Sequence, residues 1–204
     1  MQTRRQLLRQ ALTAGVAIHT SQSRTARRFE ILSESTALSQ ESARGFATVA
    51  APHHAVIVVC GAGEKALTAA PHLFHCALQG AWLLWESALH DLQPFQFRQL
   101  QSTLRTVFDI NIGMPFHPGL YIEYIWPKPA VTRSFLEAVA VECNPAEVIA
   151  RHAATPVAMR RRIGRGGIVF LGSMLGPNLY AEEPEAYAIA TNLLYSSRSR
   201  PPVL

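Results

Sequence analysis

The sequence predicts an α/β fold with a mainly parallel sheet, helices on both of its faces and one late β-hairpin. Two unbroken apolar runs, residues 55–60 and 81–85, have the β-branched and aromatic composition of strands that are buried on both faces. Residues 64–79 between them have helical composition, so the three segments predict a βαβ unit. The hairpin is predicted from residues 156–163 and 168–171, which flank a glycine-rich turn.

Length and composition predict one globular domain. The chain has 204 residues, of which 49% are hydrophobic and 16% are charged, and this excludes a disordered polymer. Three cysteines are too few for a disulfide scaffold, and no apolar run approaches the roughly 20 residues that cross a bilayer. We therefore predict a single α/β domain over residues 29–197, a polar tail over 198–204 and no membrane span.

The charge is concentrated at the amino terminus. Residues 1–28 contain six arginines and no acidic residue, whereas the rest of the chain has 13 Lys and Arg against 14 Asp and Glu. The folded body therefore lacks the positive excess of a nucleic-acid-binding surface, and we expect no nucleic-acid partner. Four arginines in the predicted hairpin are interpreted as a solvated face: Arg160, Arg161, Arg162 and Arg165.

The basic segment also has the pattern of an export signal. Thr3, Arg4 and Arg5 precede apolar residues in the arrangement of a twin-arginine signal, which predicts an exported, periplasmic protein. The alternative is an ordinary amphipathic helix in a cytoplasmic protein, because Leu7, Leu8, Ala11, Leu12 and Val16 recur at helical spacing.

The other elements follow from hydrophobic periodicity. Residues 29–32 predict a short strand, and residues 39–50 a connecting helix or loop. Residues 92–108 predict a helix capped by Asp91, with an inner stripe of Phe95, Leu100, Leu104 and Phe108. Residues 121–126 predict an edge strand, 138–143 a short strand, and Pro184 the start of a carboxy-terminal helix.

A crevice at the carboxyl edge of the sheet is the predicted ligand site. Ligands of open α/β sheets bind there, and Glu86, Ser87 and His90 follow the second buried strand. We expect Glu86 to act as a base or hydrogen-bond acceptor, and the amides of the loop Gly61, Ala62 and Gly63 to form an anion cradle. The alternative is that Glu86 caps the following turn or pairs with an arginine.

Two further groups of residues have both a chemical and a structural interpretation. Cys60 ends a strand before two glycines and is a candidate reactive thiol, or else a buried structural cysteine. His72, His75 and Cys76 have the helical spacing of metal ligands, but equally that of a helix face packed on the sheet. We expect no metal and no cofactor.

The order of these pieces resembles a known family. The run 55–60 into Gly61-Ala62-Gly63, the strand 81–85 with Glu86-Ser87-Ala88, and the hairpin 156–172 resemble the class I glutamine amidotransferase-like superfamily, in particular its ThuA-like branch. The resemblance covers residues 50–195 and implies a flavodoxin-like three-layer sandwich.

The chain departs from this family at its catalytic positions. Catalytic members have a Gly-x-Cys-x-Gly elbow where residues 84–88 read Leu-Trp-Glu-Ser-Ala, and a His-x-Glu pair where residues 172–178 read Gly-Ser-Met-Leu-Gly-Pro-Asn. The resemblance therefore implies a non-catalytic amidotransferase-like domain that binds a small molecule or a protein partner beside Cys60 and Glu86.

Two other functions remain open from the sequence. One is a hydrolase or amidase that uses Cys60, or Glu86 with Ser87. The other is a structural or assembly protein that uses an exposed aromatic patch formed by Phe116, Tyr121, Tyr124, Ile125 and Trp126. The sequence identifies neither the ligand nor the oligomeric state.

Overall fold

The computed structural model describes residues 29–49, 54–89 and 92–196, which form ten strands and five α-helices. In chain order these are β1 (Phe29–Ser33), α1 (Ala37–Ala47), β2 (Val56–Cys60), α2 (Glu64–Gln79), β3 (Trp82–Glu86), α3 (Pro94–Thr103), β4 (Asn111–Phe116), β5 (Tyr121–Tyr124), β6 (Ala130–Arg133), β7 (Ala138–Glu142), β8 (Val148–His152), β9 (Thr155–Ile163), β10 (Gly166–Leu171), α4 (Gly176–Tyr180) and α5 (Pro184–Ser196). A π-helical turn, Leu104–Phe108, extends α3, and a 3-10 turn, Pro145–Glu147, precedes β8.

Eight strands form one mixed sheet in the order β1-β2-β3-β10-β9-β8-β5-β6, and β4 pairs with β7 separately. The first four are parallel to one another, whereas β9, β8, β5 and β6 continue the sheet with antiparallel pairings. The prediction of a flavodoxin-like sandwich with a mainly parallel sheet is therefore wrong. The later half of the sheet is antiparallel because its connections are short. Two-residue turns precede β9 and β10, and such turns join only antiparallel neighbours.

Helices cover both faces of the parallel half, and the strands alternate between two cores. Val56, Val58 and Cys60 of β2 face the core beneath α1, α4 and α5. Ile57 and Val59 face the opposite core, beneath α2 and α3. Since both sets are buried, the strand has no polar face, and this is why it reads as a continuous apolar run in the sequence.

Helix α3 buries a different stripe from the one predicted. Phe97 is 7% exposed and packs with Leu100, Leu104 and Phe108, whereas Phe95 is 55% exposed. Residues 97, 100 and 104 are separated by three and four positions, which is the spacing of one helix face. The prediction that Phe95 belongs to the core is wrong.

The arginines of the hairpin are less solvated than predicted. Arg160 is 6% exposed, and its guanidinium lies 4.6 Å from the ring centroid of Trp82 and 4.9 Å from that of Trp126. Burial, followed by the charge of Arg162, lowers the pKa of Arg160 to about 10. Arg161 forms a bidentate pair with Glu147, with both N–O distances at 2.8 Å. The interpretation of the arginines as a solvated face is therefore wrong for Arg160.

Within the described ranges, no helix has both the length and the apolar character that crossing a bilayer requires. The predicted export signal lies in residues 1–28, outside the described residues, so periplasmic export stays a prediction, and so does the cytoplasmic alternative.

Candidate functional site

The carboxyl ends of three parallel strands form one wall of a groove. Glu34, Ser35 and Thr36 follow β1, and Ala62 and Gly63 follow β2. The turn after β3 contributes Ala88 and Leu92, and α2 and α3 close the far side. The cavity has a volume of about 660 Å³, within the range of small-molecule sites. This is the edge at which open α/β sheets bind ligands.

Glu34 lies at the inner end of this groove, where it contacts the first turn of α2 and the loop after β2. Its Oε1 accepts a hydrogen bond of 2.8 Å from the backbone N–H of Ala66, in the first turn of α2. Gly63, the N-cap of that helix, has no side chain to do this. The carboxylate also lies against both loop glycines, because a Cβ on Gly61 would come within 2.7 Å of its Cγ, and one on Gly63 within 2.9 Å of its Cδ. Glu34 therefore occupies the position that the sequence assigned to a bound anion.

The groove continues between α2 and α3. A second, outer cavity of about 550 Å³ shares four lining residues with the first, inner one: Gly63, Glu64, Thr68 and Gln96. Its remaining lining is Leu67, Phe95, Gln99, Ser102 and Thr103. Apart from Glu34, Glu64 and Lys65, the side chains along both cavities are uncharged, and most of the polar ones are hydroxyls and amides.

Glu86 lies inside the protein and not in the groove. Its side chain is fully buried on the face of the sheet covered by α1 and α4. One oxygen accepts a hydrogen bond from the Ser42 hydroxyl, and the other accepts from the backbone N–H groups of Leu175 and Gly176, at 2.6 and 2.7 Å. Burial raises the pKa of Glu86, although these three donors oppose the shift. The arrangement is a structural junction between β3, α1 and α4.

Cys60 and Ser87 are also fully buried. Burial, followed by the nearby charge of Glu86, raises the pKa of the Cys60 thiol, which keeps it protonated at neutral pH. The Ser87 hydroxyl donates to the backbone oxygen of Leu171 at 3.2 Å. A hydrolase or amidase that uses Cys60, or Glu86 with Ser87, would need these groups to reach a substrate, and their burial removes that basis.

The predicted binding loop is placed only partly in the groove. Ala62 and Gly63 line the inner cavity, whereas Gly61 turns the chain with a φ of 113° behind Glu34. His90 lies outside the described residues. The predicted crevice and this groove lie at the same sheet edge, but the sequence did not single out Glu34, Thr68 or Gln96. Glu34 had a detectable signal, since it is a carboxylate directly after a strand, and Glu86 is one at the end of a strand.

The helical His and Cys residues contact one another on α2. Cys76 Sγ lies 3.5 Å from His72 Nε2, and the Nε2 atoms of Gln79 and His75 are 2.8 Å apart. In the part of the chain that the structure describes, no group of three His, Cys, Asp or Glu side chains is arranged to hold a metal ion.

Comparison with protein-family models gives no match, and neither does comparison with curated proteins. Solved structures do match. A β-galactosidase from Bacillus circulans sp. alkalophilus is similar with a TM-score of 0.54 and 14% identity, over 85% of this chain and 31% of that one. An exo-β-1,4-mannosidase from Opitutaceae bacterium strain TAV5 has a TM-score of 0.48 and 16% identity, over 68% of this chain and 24% of that one. The chain spans less than a third of either protein.

The β-galactosidase match corrects the functional prediction. The similar fold lies within a glycosidase, and this contradicts the prediction of a non-catalytic amidotransferase-like domain. The burial of Cys60, Glu86 and Ser87 removes the basis of the hydrolase or amidase alternative. The predicted aromatic patch is divided, because Tyr124 and Trp126 belong to the core whereas Tyr121 and Ile125 are exposed. The superfamily resemblance itself stays a prediction.

Proposed function

We propose that this chain binds a neutral saccharide in the groove between the carboxyl edge of the sheet and helices α2 and α3. The observation that carries the proposal is the lining. The groove is lined by hydroxyl and amide side chains together with apolar ones, and its uncharged polar set is Ser35, Thr36, Ser39, Thr68, Gln96, Gln99, Ser102 and Thr103. A sugar presents the matching surface, because it has a rim of hydroxyl donors and acceptors around an apolar C–H face.

The charges of the groove argue against an anionic ligand. The amino terminus of α2 would attract a phosphate or carboxylate, but the carboxylate of Glu34 already accepts the N–H of Ala66 there. Glu64 adds a second carboxylate in the first turn of the same helix. Lys65 is the cation in this lining, and its ammonium donates to the backbone oxygen of Ser33 at 3.4 Å. A neutral polyol avoids the repulsion that both carboxylates impose on an anion.

The similar β-galactosidase is named for an activity on galactose-containing glycosides. We therefore propose galactosides as the first saccharides to test. The proposal for this chain is recognition of the sugar, and it assigns no bond cleavage to the groove.

Calorimetric titration of the full-length protein with lactose tests the proposal. We expect the Thr68→Ala and Gln99→Ala variants to bind about 3- to 10-fold more weakly, as each loses a hydrogen-bonding side chain. Both side chains are exposed, so neither replacement disturbs the core.

Matched controls are Thr106→Ala and Gln79→Ala, which remove exposed side chains of the same types outside the groove. These should bind as the wild type does. The proposal is wrong if lactose, galactose and other neutral sugars give no heat at millimolar concentration. It is equally wrong if the groove variants and the controls behave alike.

A further inference from the structure

Phe95 is exposed although its neighbours on α3 form a core. More than half of its surface is accessible, at 55%, while Phe97 two residues later is 7% exposed. The ring also forms part of the lining of the outer cavity. A large apolar side chain that faces solvent inside a polar groove is a feature of binding sites.

The backbone that carries Phe95 belongs to a capped helical turn. Pro94 starts the helix, and the Gln93 N–H donates to Gln96 Oε1 at 2.8 Å in a capping box. The N–H of Phe97 donates to the backbone oxygen of Gln93 at 3.0 Å, which closes the first turn. Because this turn is already ordered, stacking of a ligand on the ring adds no cost of ordering the backbone.

The outer cavity combines apolar surface with hydrogen-bonding groups, as a sugar ring does. Phe95 and Leu67 provide apolar surface, and Gln99, Ser102 and Thr103 provide hydrogen-bonding groups. This cavity has about 550 Å³ and adjoins the inner one of about 660 Å³ through shared residues. Each is large enough to be a small-ligand site by itself, so the groove has room for consecutive units of one ligand.

We propose that the ligand is an oligosaccharide bound in two subsites, with one unit in the inner cavity and the next stacked on Phe95 in the outer cavity. This inference rests on the proposed saccharide binding and specifies its substrate class. The stacked unit places its C–H face on the ring and its hydroxyl groups toward Gln99 and Ser102.

The test is a chain-length series with galactose, β-1,4-galactobiose and β-1,4-galactotriose as titrants of the full-length protein. We expect the disaccharide to bind about tenfold more tightly than galactose, because it reaches the second subsite. The Phe95→Ala variant should lose that gain and keep the affinity for galactose. The Phe95→Trp variant should keep the gain, because it retains an aromatic face.

Met114→Ala is the matched control, since it removes a side chain that is 73% exposed and lies outside both cavities. It should leave the whole series unchanged. The inference is wrong, and saccharide binding stands, if galactose and the longer sugars bind equally or if Phe95→Ala weakens all three alike. If none of the three binds to the wild type, the proposed function fails together with the inference.

Discussion

The Ser42 hydroxyl donates a hydrogen bond to the Glu86 carboxylate in the interior, and this bond joins helix α1 to the carboxyl end of strand β3. The other carboxylate oxygen accepts the N–H groups of Leu175 and Gly176 at the start of α4. Three elements that are far apart in the chain therefore meet at one side chain. Since α1 begins beside the groove, where Thr36 lines it, the junction also positions one wall of the candidate site.

We expect Glu86→Ala to lower the free energy of unfolding by about 3 kcal/mol, because it leaves three buried donors without an acceptor. Glu86→Gln should cost less than about 1 kcal/mol. Its carbonyl keeps the two backbone N–H donors, and the Ser42 hydroxyl can reverse to accept from the new amide. Urea denaturation of the two variants measures the difference, and equal losses would contradict the junction as described.

The same carboxyl group should make stability depend on pH. Burial raises the pKa of Glu86 above its ordinary value of 4.5, so the folded protein holds a proton there that the unfolded chain releases. The stabilisation is complete below pH 4.5 and is lost as the pH rises through the folded pKa. We expect wild-type stability, measured relative to Glu86→Gln, to fall in that interval by at most about 1.4 kcal/mol per pH unit. A relative stability that rises with pH would show that the pKa is lowered instead.

Gly176 has no room for a side chain. A Cβ there would lie 1.8 Å from Ser42 Oγ and 2.7 Å from Ser42 Cα, so α1 and α4 would have to separate. We expect Gly176→Ala to destabilise the protein by about 2 kcal/mol or more. Gly113→Ala is the control, since its Cβ would meet Ala140 Cβ at 3.4 Å, an ordinary contact. Thermal unfolding compares the two, and similar melting temperatures would overturn the prediction.

The Cys60 thiol should be protected in the folded protein. It is fully buried and its pKa is raised by that burial, so it lacks both access and the thiolate form. We expect iodoacetamide to modify Cys60 at least about 100-fold more slowly in native protein than in urea. Peptide mass mapping follows each site separately, with the half-buried Cys76 as the internal comparison. Modification of native Cys60 at the unfolded rate would exclude this packing.

Strands β2 and β3 were predictable because every residue in them is buried, so both strands read as unbroken apolar runs. Strands β2 and β3 and helix α2 differ from the predicted ranges by at most one residue, and the hairpin of β9 and β10 is confirmed. Unbroken apolar runs and a glycine turn determine these elements locally. Strand β8 was missed, because its sequence, Val-Ile-Ala-Arg-His, is short and does not alternate between apolar and polar residues.

The site was harder to predict because it depends on which helix face turns inward. Phe95 and Phe97 are two positions apart, and periodicity alone gave the core position to the wrong one. Their contacts decide it, since Phe97 packs with the core beneath α2 and α3. In the same way, Glu86 and Glu34 both lie at the carboxyl ends of strands, but only Glu34 reaches the groove, because Ser42 and the start of α4 enclose Glu86.

The central position of β10 has a consequence for synthesis of the chain. This last strand pairs with β3, whose partner residues are 85 positions earlier, as in Trp82 and Gly167. Until β10 leaves the ribosome, one side of β3 is an open apolar edge. At about 5–20 residues per second, that edge is exposed for roughly 4–17 s. The nascent chain is therefore most exposed to aggregation while residues 87–171 are being made, and a chaperone that binds strand edges would act in that interval.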